Sequence, residues 1–184
     1  MEPYIRHGRS LQVAPEFKSI KQRPRELLGN WLICAIGCDA RGKESLAVGE
    51  DPLGGDGLIV DKESDDKLFM EHVYVPAGPE GEFEDRVMAA LQAKAAKGEE
   101  YAKGRTLVIF ADAVGKWFPN RLARRIAGQH HFRGVWLVAL DAPSITNGTY
   151  AYNVAELDVS NGNASVSRVV VSPEFDSWTV ETIQ

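Results

Sequence analysis

The chain has 184 residues, a length that fits one domain with a sizeable core, and its 44% hydrophobic and 26% charged composition is that of an ordinary globular protein. No apolar run approaches the roughly 18 residues that cross a membrane, and the N-terminus lacks the apolar core of a signal peptide, so a cytoplasmic protein is expected. The net charge of −5 speaks against binding nucleic acid by bulk electrostatics, but it is unevenly spread: residues 1–25 hold six Lys/Arg against two acids, and the remainder 15 against 24.

Residues 1–22 carry Pro3, Gly8 and Pro15 without a strong period and read as a basic arm. Such an arm suits contact with a polyanion, a dimer contact or plain solvation. A single α/β domain is expected over 23–184. In "RPRELLGNWLICAIG" the residues Leu27, Leu28, Trp31, Leu32, Ala35 and Ile36 form one apolar stripe. Pro24 suits its first turn and Gly37 its end, so the first helix is expected over 24–37. Cys34 and Cys38, four apart on that helix, suit two small buried residues better than a disulfide framework.

A short strand is expected at about 44–50, broken by "PLGG". "DGLIV" and "KLFMEHVYV", joined by the polar "DKESDD", read as a β-hairpin with apolar faces on both sides. "FEDRVMAALQAKAAKGEEYAKG" gives a second helix with acids in its first turn. "RTLVIFADA" is a buried strand. A short third helix in "GKWFPNRLARRIAG" is interrupted by Pro119, and "FRGVWLVAL" is another buried strand. "TYAYNVAELDVSNGNASVSRVVV" alternates with period two around Asn161-Gly162, the signature of a tight hairpin, at about 149–171. Helix, three strands, helix, strand, helix, strand and a terminal hairpin make a mixed α/β sheet with helices packed on it.

Two charges stand out in the first hairpin. Asp56 heads one apolar run and Glu71 lies inside the next. With the turn centred between Glu63 and Ser64, facing residues sum to 127, and Asp56 then faces Glu71 on one side of the sheet. Two poorly solvated carboxylates repel, so one stays protonated or a cation sits between them. Mg²⁺ is held by one or two carboxylates plus waters and substrate phosphate, and can activate water against a phosphodiester. The residues leave a plainer account open: Asp56 as a turn residue after Gly54-Gly55, and Glu71 as an exposed strand position.

Helix–three strands–helix–strand, with an aspartate opening the second strand and a glutamate in the third, resembles the PD-(D/E)XK nuclease superfamily. The resemblance covers about residues 23–140 and implies a restriction-endonuclease-like αβββαβ core and a Mg²⁺- or Mn²⁺-dependent nuclease, often dimeric, with DNA as partner. It implies Asp56 and Glu71 as metal-binding acids, the His72 carbonyl as a further ligand, and Glu26 on the first helix as an auxiliary acid. Gly55 stands where the family pattern has Pro. Val73 stands where it has the lysine that orients the attacking water.

Some members of that superfamily supply the lysine from the following helix, where this chain has Lys94 and Lys97. Val87, Leu91, Lys94 and Gly98 share one helical face, so Lys94 can reach the sheet while Lys97 points toward solvent. A lysine lying along an amphipathic helix is the plainer account of Lys94. The missing lysine at Val73 keeps open a rival reading, a catalytically inactive binding or interaction protein on the same fold.

Weaker candidates are phosphate contacts from Arg121, Arg124, Arg125 and His131, against a solvated helix end. His72 alternates to the opposite face from Glu71 and reads as a core or interface histidine. Asp112 reads as a cap or turn residue. Tyr150, Tyr152 and Trp178 suit packing better than stacking on bases. No phosphate loop and no Ser or Cys nucleophile motif is present.

Overall fold

The computed structural model describes residues 17, 22–79, 82–112, 117–140, 148–158 and 162–184. Most of the arm, and Asn161 of the expected tight turn, lie outside them. The described elements are α1 (Pro24–Arg41), β1 (Leu46–Gly49), β2 (Leu58–Asp61), β3 (Lys67–Val75), α2 (Phe83–Ala95), α3 (Glu99–Ala102), β4 (Arg105–Ala111), α4 (Pro119–Ile126), β5 (Gly134–Leu140), β6 (Tyr150–Asp158), β7 (Asn163–Val171) and β8 (Trp178–Thr182). The fold is mixed α/β, and none of these helices is long and apolar enough to cross a membrane.

All eight strands join one sheet in sequence order. β1, β2 and β3 are antiparallel. β3, β4 and β5 are parallel. From β5 to β8 the pairing is antiparallel again. The parallel centre follows from connectivity, since each of its two crossovers carries a helix. β4 is buried along nearly its whole length because helices cover both faces.

Side chains alternate between two cores. Leu107, Ile109, Val135, Leu137 and Leu157 pack under α2 and α4 with Val87, Leu91 and Leu122. Met70, Val108, Phe110, Val138 and Val154 pack against Leu28, Leu32 and Ile33 of α1. The sheet curls about α1, which touches β1 near one edge and β7 and β8 at the other. Trp31 of α1 meets Trp178 of β8 edge to face, with ring centroids 5.3 Å apart.

Four boundaries differ from the expectation. α1 continues through Gly37, which gives close passage to Leu46 (a Cβ there would stand 2.5 Å from Leu46 Cδ1), and it ends at Gly42, where φ is 64°. The second helix is two, because Gly98 interrupts it before α3. Pro119 does not interrupt the third helix but opens it, at a position where its missing N–H costs nothing. β8 was not expected; "WTVET" is a short, largely exposed edge whose alternation is too brief to stand out.

Candidate active site

The β2–β3 ladder has the expected register: Leu58↔Phe69, Ile59↔Leu68 and Val60↔Lys67 each sum to 127. Asp56 lies two residues before β2, beyond the ladder. Its N–H donates to the Met70 carbonyl at 3.2 Å, and the Met70 N–H donates to the Gly57 carbonyl at 2.9 Å. Asp56 and Gly57 thus both sit against Met70, a bulge that displaces Asp56 from direct opposition to Glu71. β3 continues past the end of β2, and the His72 N–H on that side has no strand to meet. Asp56 Oδ2 accepts it at 2.7 Å. By strand geometry the His72 carbonyl points off the same edge.

Glu71 faces α2 and α3 and is buried. Lys94, in the last turn of α2, donates to Glu71 Oε2 at 3.1 Å and stands 3.9 Å from Asp56 Oδ2. Tyr101 of α3 donates to the same Glu71 oxygen. Arg105, the first residue of β4, takes Glu71 Oε1 at 2.6 Å. The amine of Lys97 lies 4.5 Å over the Tyr101 ring and 3.3 Å from its hydroxyl. The structure therefore brings Asp56, Glu71 and Lys94 together, with Lys97 at the rim. Val73 points to the same face as Glu71 but packs into the core beside α2.

Tyr101 and Arg105 are members of the cluster that sequence reasoning did not find. The signal for Arg105 was its place at the head of a strand otherwise apolar. Tyr101 follows a glycine that looked like the interior of one helix, so its direction was not legible.

The two carboxyls differ in environment. Burial pushes Asp56 above the ordinary aspartate range; the His72 N–H opposes this and the charge of Glu71 adds to it. Burial also acts to raise Glu71, but hydrogen bonds from Tyr101 and Lys94, with the charges of Lys94 and Arg105, outweigh it and hold that carboxyl low. Glu26, in the first turn of α1, is buried and accepts the Arg23 N–H at 2.8 Å. Burial raises its carboxyl, and the Asp56 charge raises it further. Glu26 is thus within electrostatic reach of Asp56.

The residues fit a hard divalent cation in a limited way. Among the described residues no three His, Cys, Asp or Glu side chains gather into a metal-holding group. Mg²⁺ needs only one or two carboxylates, with water supplying the rest of its shell. Asp56 Oδ1 receives no donor from a described residue, and the Asp56 side chain keeps 30% of its exposure. A cation there would relieve the cost of ionising Asp56. Glu71 supplies the second carboxylate of the pair only by loosening one of its present donors, Lys94, Tyr101 or Arg105.

The other candidates fall elsewhere. Arg121 forms a forked pair with Glu84, at 2.8 Å from both Nε and Nη2. Arg125 bridges Glu84 and Asp85. Those acids open α2, at the opposite end of the helix from Lys94, so both arginines are committed within the fold and away from the carboxylates. Arg124 is exposed, with its stem beside Gly162. His131 is exposed in the turn before β5; its neighbour Phe132 meets Tyr101 edge to face at 6.2 Å. His72 is buried on the α1 face, and burial lowers its imidazole to about 3, so it stays neutral. Tyr152 is fully buried and Trp178 packs on Trp31, so neither is a free stacking platform. The Asp112 carboxylate accepts a hydrogen bond from Tyr74, whose hydroxyl is pushed up to about 12, chiefly by burial and then by this bond. Cys34 and Cys38 are free thiols, and burial raises Cys34 to about 12.

Comparison of the chain with protein-family models, with curated proteins and with solved structures gives no match.

Proposed function

We propose that the chain is a divalent-cation-dependent nuclease of the PD-(D/E)XK kind, hydrolysing phosphodiester bonds of nucleic acid, with DNA as the substrate to test first. The observation that carries this reading is the place of Lys94: its amine lies 3.1 Å from Glu71 and 3.9 Å from Asp56. A lysine between two carboxylates, brought from the helix after β3, is what the absence of lysine at Val73 would require. The element order supports the reading too: a helix, three antiparallel strands, a helix, and a fourth strand parallel to the third.

Asp56, Glu71 and the His72 carbonyl would hold Mg²⁺ or Mn²⁺, which when bound supplies Lewis acidity toward a phosphoryl oxygen. Lys94 would hold a water by hydrogen bond and orient its lone pair. Arg105, once shared with substrate, would neutralise a phosphate oxygen. Glu26 would add negative potential on the α1 side of Asp56.

A second reading, a nucleic-acid-binding protein without catalysis, draws on one observation: both Glu71 oxygens are already taken, by Arg105 on one side and by Lys94 and Tyr101 on the other. Incubation with single- and double-stranded DNA and Mn²⁺ separates the two. The nuclease reading expects cleavage that chelation abolishes and that Lys94→Met lowers by about 10²-fold or more, the ordinary cost of misplacing a reacting group. DNA binding without cleavage, indifferent to Mn²⁺, supports the second reading and overturns the first.

A further inference from the structure

Asp56 is held from behind by polar side chains that the cluster around Glu71 does not use. Gln22 Nε2 donates to the Asp56 carbonyl at 3.1 Å, and Asn30 Nδ2 donates to the same carbonyl at 3.0 Å. Asn30 Oδ1 pairs with His72 Nε2 at 2.8 Å. Because Asn30 uses its amide nitrogen on the carbonyl, its oxygen faces the ring, and His72 carries its proton on Nε2. The His72 main-chain N–H then returns to Asp56 Oδ2. The circuit closes: Asp56 main chain, Asn30, His72 ring, His72 main chain, Asp56 carboxylate.

The three side chains are deeply buried, with exposures of 2% for Gln22, 0% for Asn30 and 5% for His72. Burying amides is favourable only when their hydrogen bonds are made, and an apolar core would avoid the demand. Two such donors converge on one carbonyl. The backbone is shaped to admit them: Gly57 has φ 113°, and a Cβ there would stand 1.9 Å from Gln22 Nε2 and 2.6 Å from Asn30 Nδ2.

We propose that Gln22, Asn30 and the His72 ring are positioning residues for Asp56. They fix its main chain by two amide donors and its carboxylate through the His72 N–H, so that Oδ2 faces the protein and Oδ1 faces outward. The consequence for cation binding rests on the functional reading above; the positioning itself does not.

The test uses Gln22→Met and Asn30→Leu, near-isosteric changes that remove the donors. In the full chain without metal, the His72 amide proton is followed by NMR, and the Mn²⁺ dissociation constant is measured by calorimetry. The expected result is a displaced His72 amide resonance in each variant, with secondary structure intact, and Mn²⁺ affinity weakened about 10- to 100-fold, as for other groups that orient metal ligands. An unmoved His72 amide in a folded variant overturns the proposal, because the amides would then only fill space. If Asn30→Leu does not fold, Gln22→Met decides, since it removes one donor of two. If the wild type binds no Mn²⁺, the functional reading fails and the amide resonance alone judges the positioning.

Discussion

Two carboxylates that share the Lys94 amine are pushed in opposite directions, and stability reports this without any substrate. Asp56 is raised above its unfolded value, so its ionised form costs stability at neutral pH, and the cost is relieved as pH falls through its folded value. Glu71 is lowered, so it contributes stability above the unfolded value that is lost as pH falls through the folded one. In metal-free protein at pH 7, Asp56→Asn is expected to raise the melting temperature, since the amide still accepts the His72 N–H. Glu71→Gln is expected to lower it by leaving Lys94 and Arg105 without their charge partner. Shifts of a few degrees are expected, because about 1 kcal/mol moves a chain of this size by roughly 2–4 °C. His72 supplies a separate pH signature. Burial lowers it to about 3 in the folded chain, whereas the unfolded value is near 6.5, so the unfolded state binds the extra proton between those values. Stability should therefore fall as pH drops below about 6.5, by on the order of 1 kcal/mol per pH unit, ahead of the carboxylates. Denaturant melts of wild type and His72→Gln from pH 7 to 5 check it: the variant should be flatter across that window. The acids and Lys94 were legible in the sequence, because charge inside apolar runs and helical spacing are local signals. Tyr101, Arg105 and the Gln22–Asn30 amides were not, because their roles depend on contacts across 26 to 34 residues of chain.

At the scale of elements, the hairpin register was readable because both strands are apolar and the turn between them is polar. The bulge at its open end was not. Alternation alone would set Asp56 opposite Glu71; Gly57 instead takes a positive φ, and Asp56 and Gly57 share Met70 as partner. Gly57→Ala tests that element. It combines a strained backbone with a Cβ driven into two buried amides, so a loss of about 1–3 kcal/mol is expected in urea unfolding, together with loss of Asp56's placement. A neutral Gly57→Ala would contradict the described bulge. The helices show the same division. An apolar stripe placed α1, and helix formers with acids in the first turn placed the start of α2. Glycine roles misled where packing decides, as at Gly37, which passes close to Leu46, and at Gly98, which ends a helix that composition would continue.

For the molecule as a whole, the order of elements followed from sequence periodicity, while the extension of the sheet to an eighth strand did not. β8 extends the sheet until its Trp178 reaches Trp31 on α1, joining the last strand to the first helix. Trp178→Ala is expected to cost roughly 1 kcal/mol, the size of an aromatic pair at a partly exposed site. Leu137→Ala, at a fully buried position between α2 and α4, is expected to cost about 2–5 kcal/mol. Urea titration of both variants compares edge with centre. The arrangement joins these scales at one place: the segment leading into β2, the middle of β3, the end of α2 and the start of β4 converge on Asp56, Glu71, Lys94 and Arg105. We propose this convergence as a cation site. The direct measurement is thermal melting of wild type and Asp56→Ala with and without millimolar Mn²⁺, because a cation that binds only the folded chain raises its melting temperature by mass action. A Mn²⁺-dependent rise in wild type that disappears in Asp56→Ala is the predicted result. An equal response of the two proteins, or no response in either, would contradict the claim and leave Asp56 and Glu71 as structural acids.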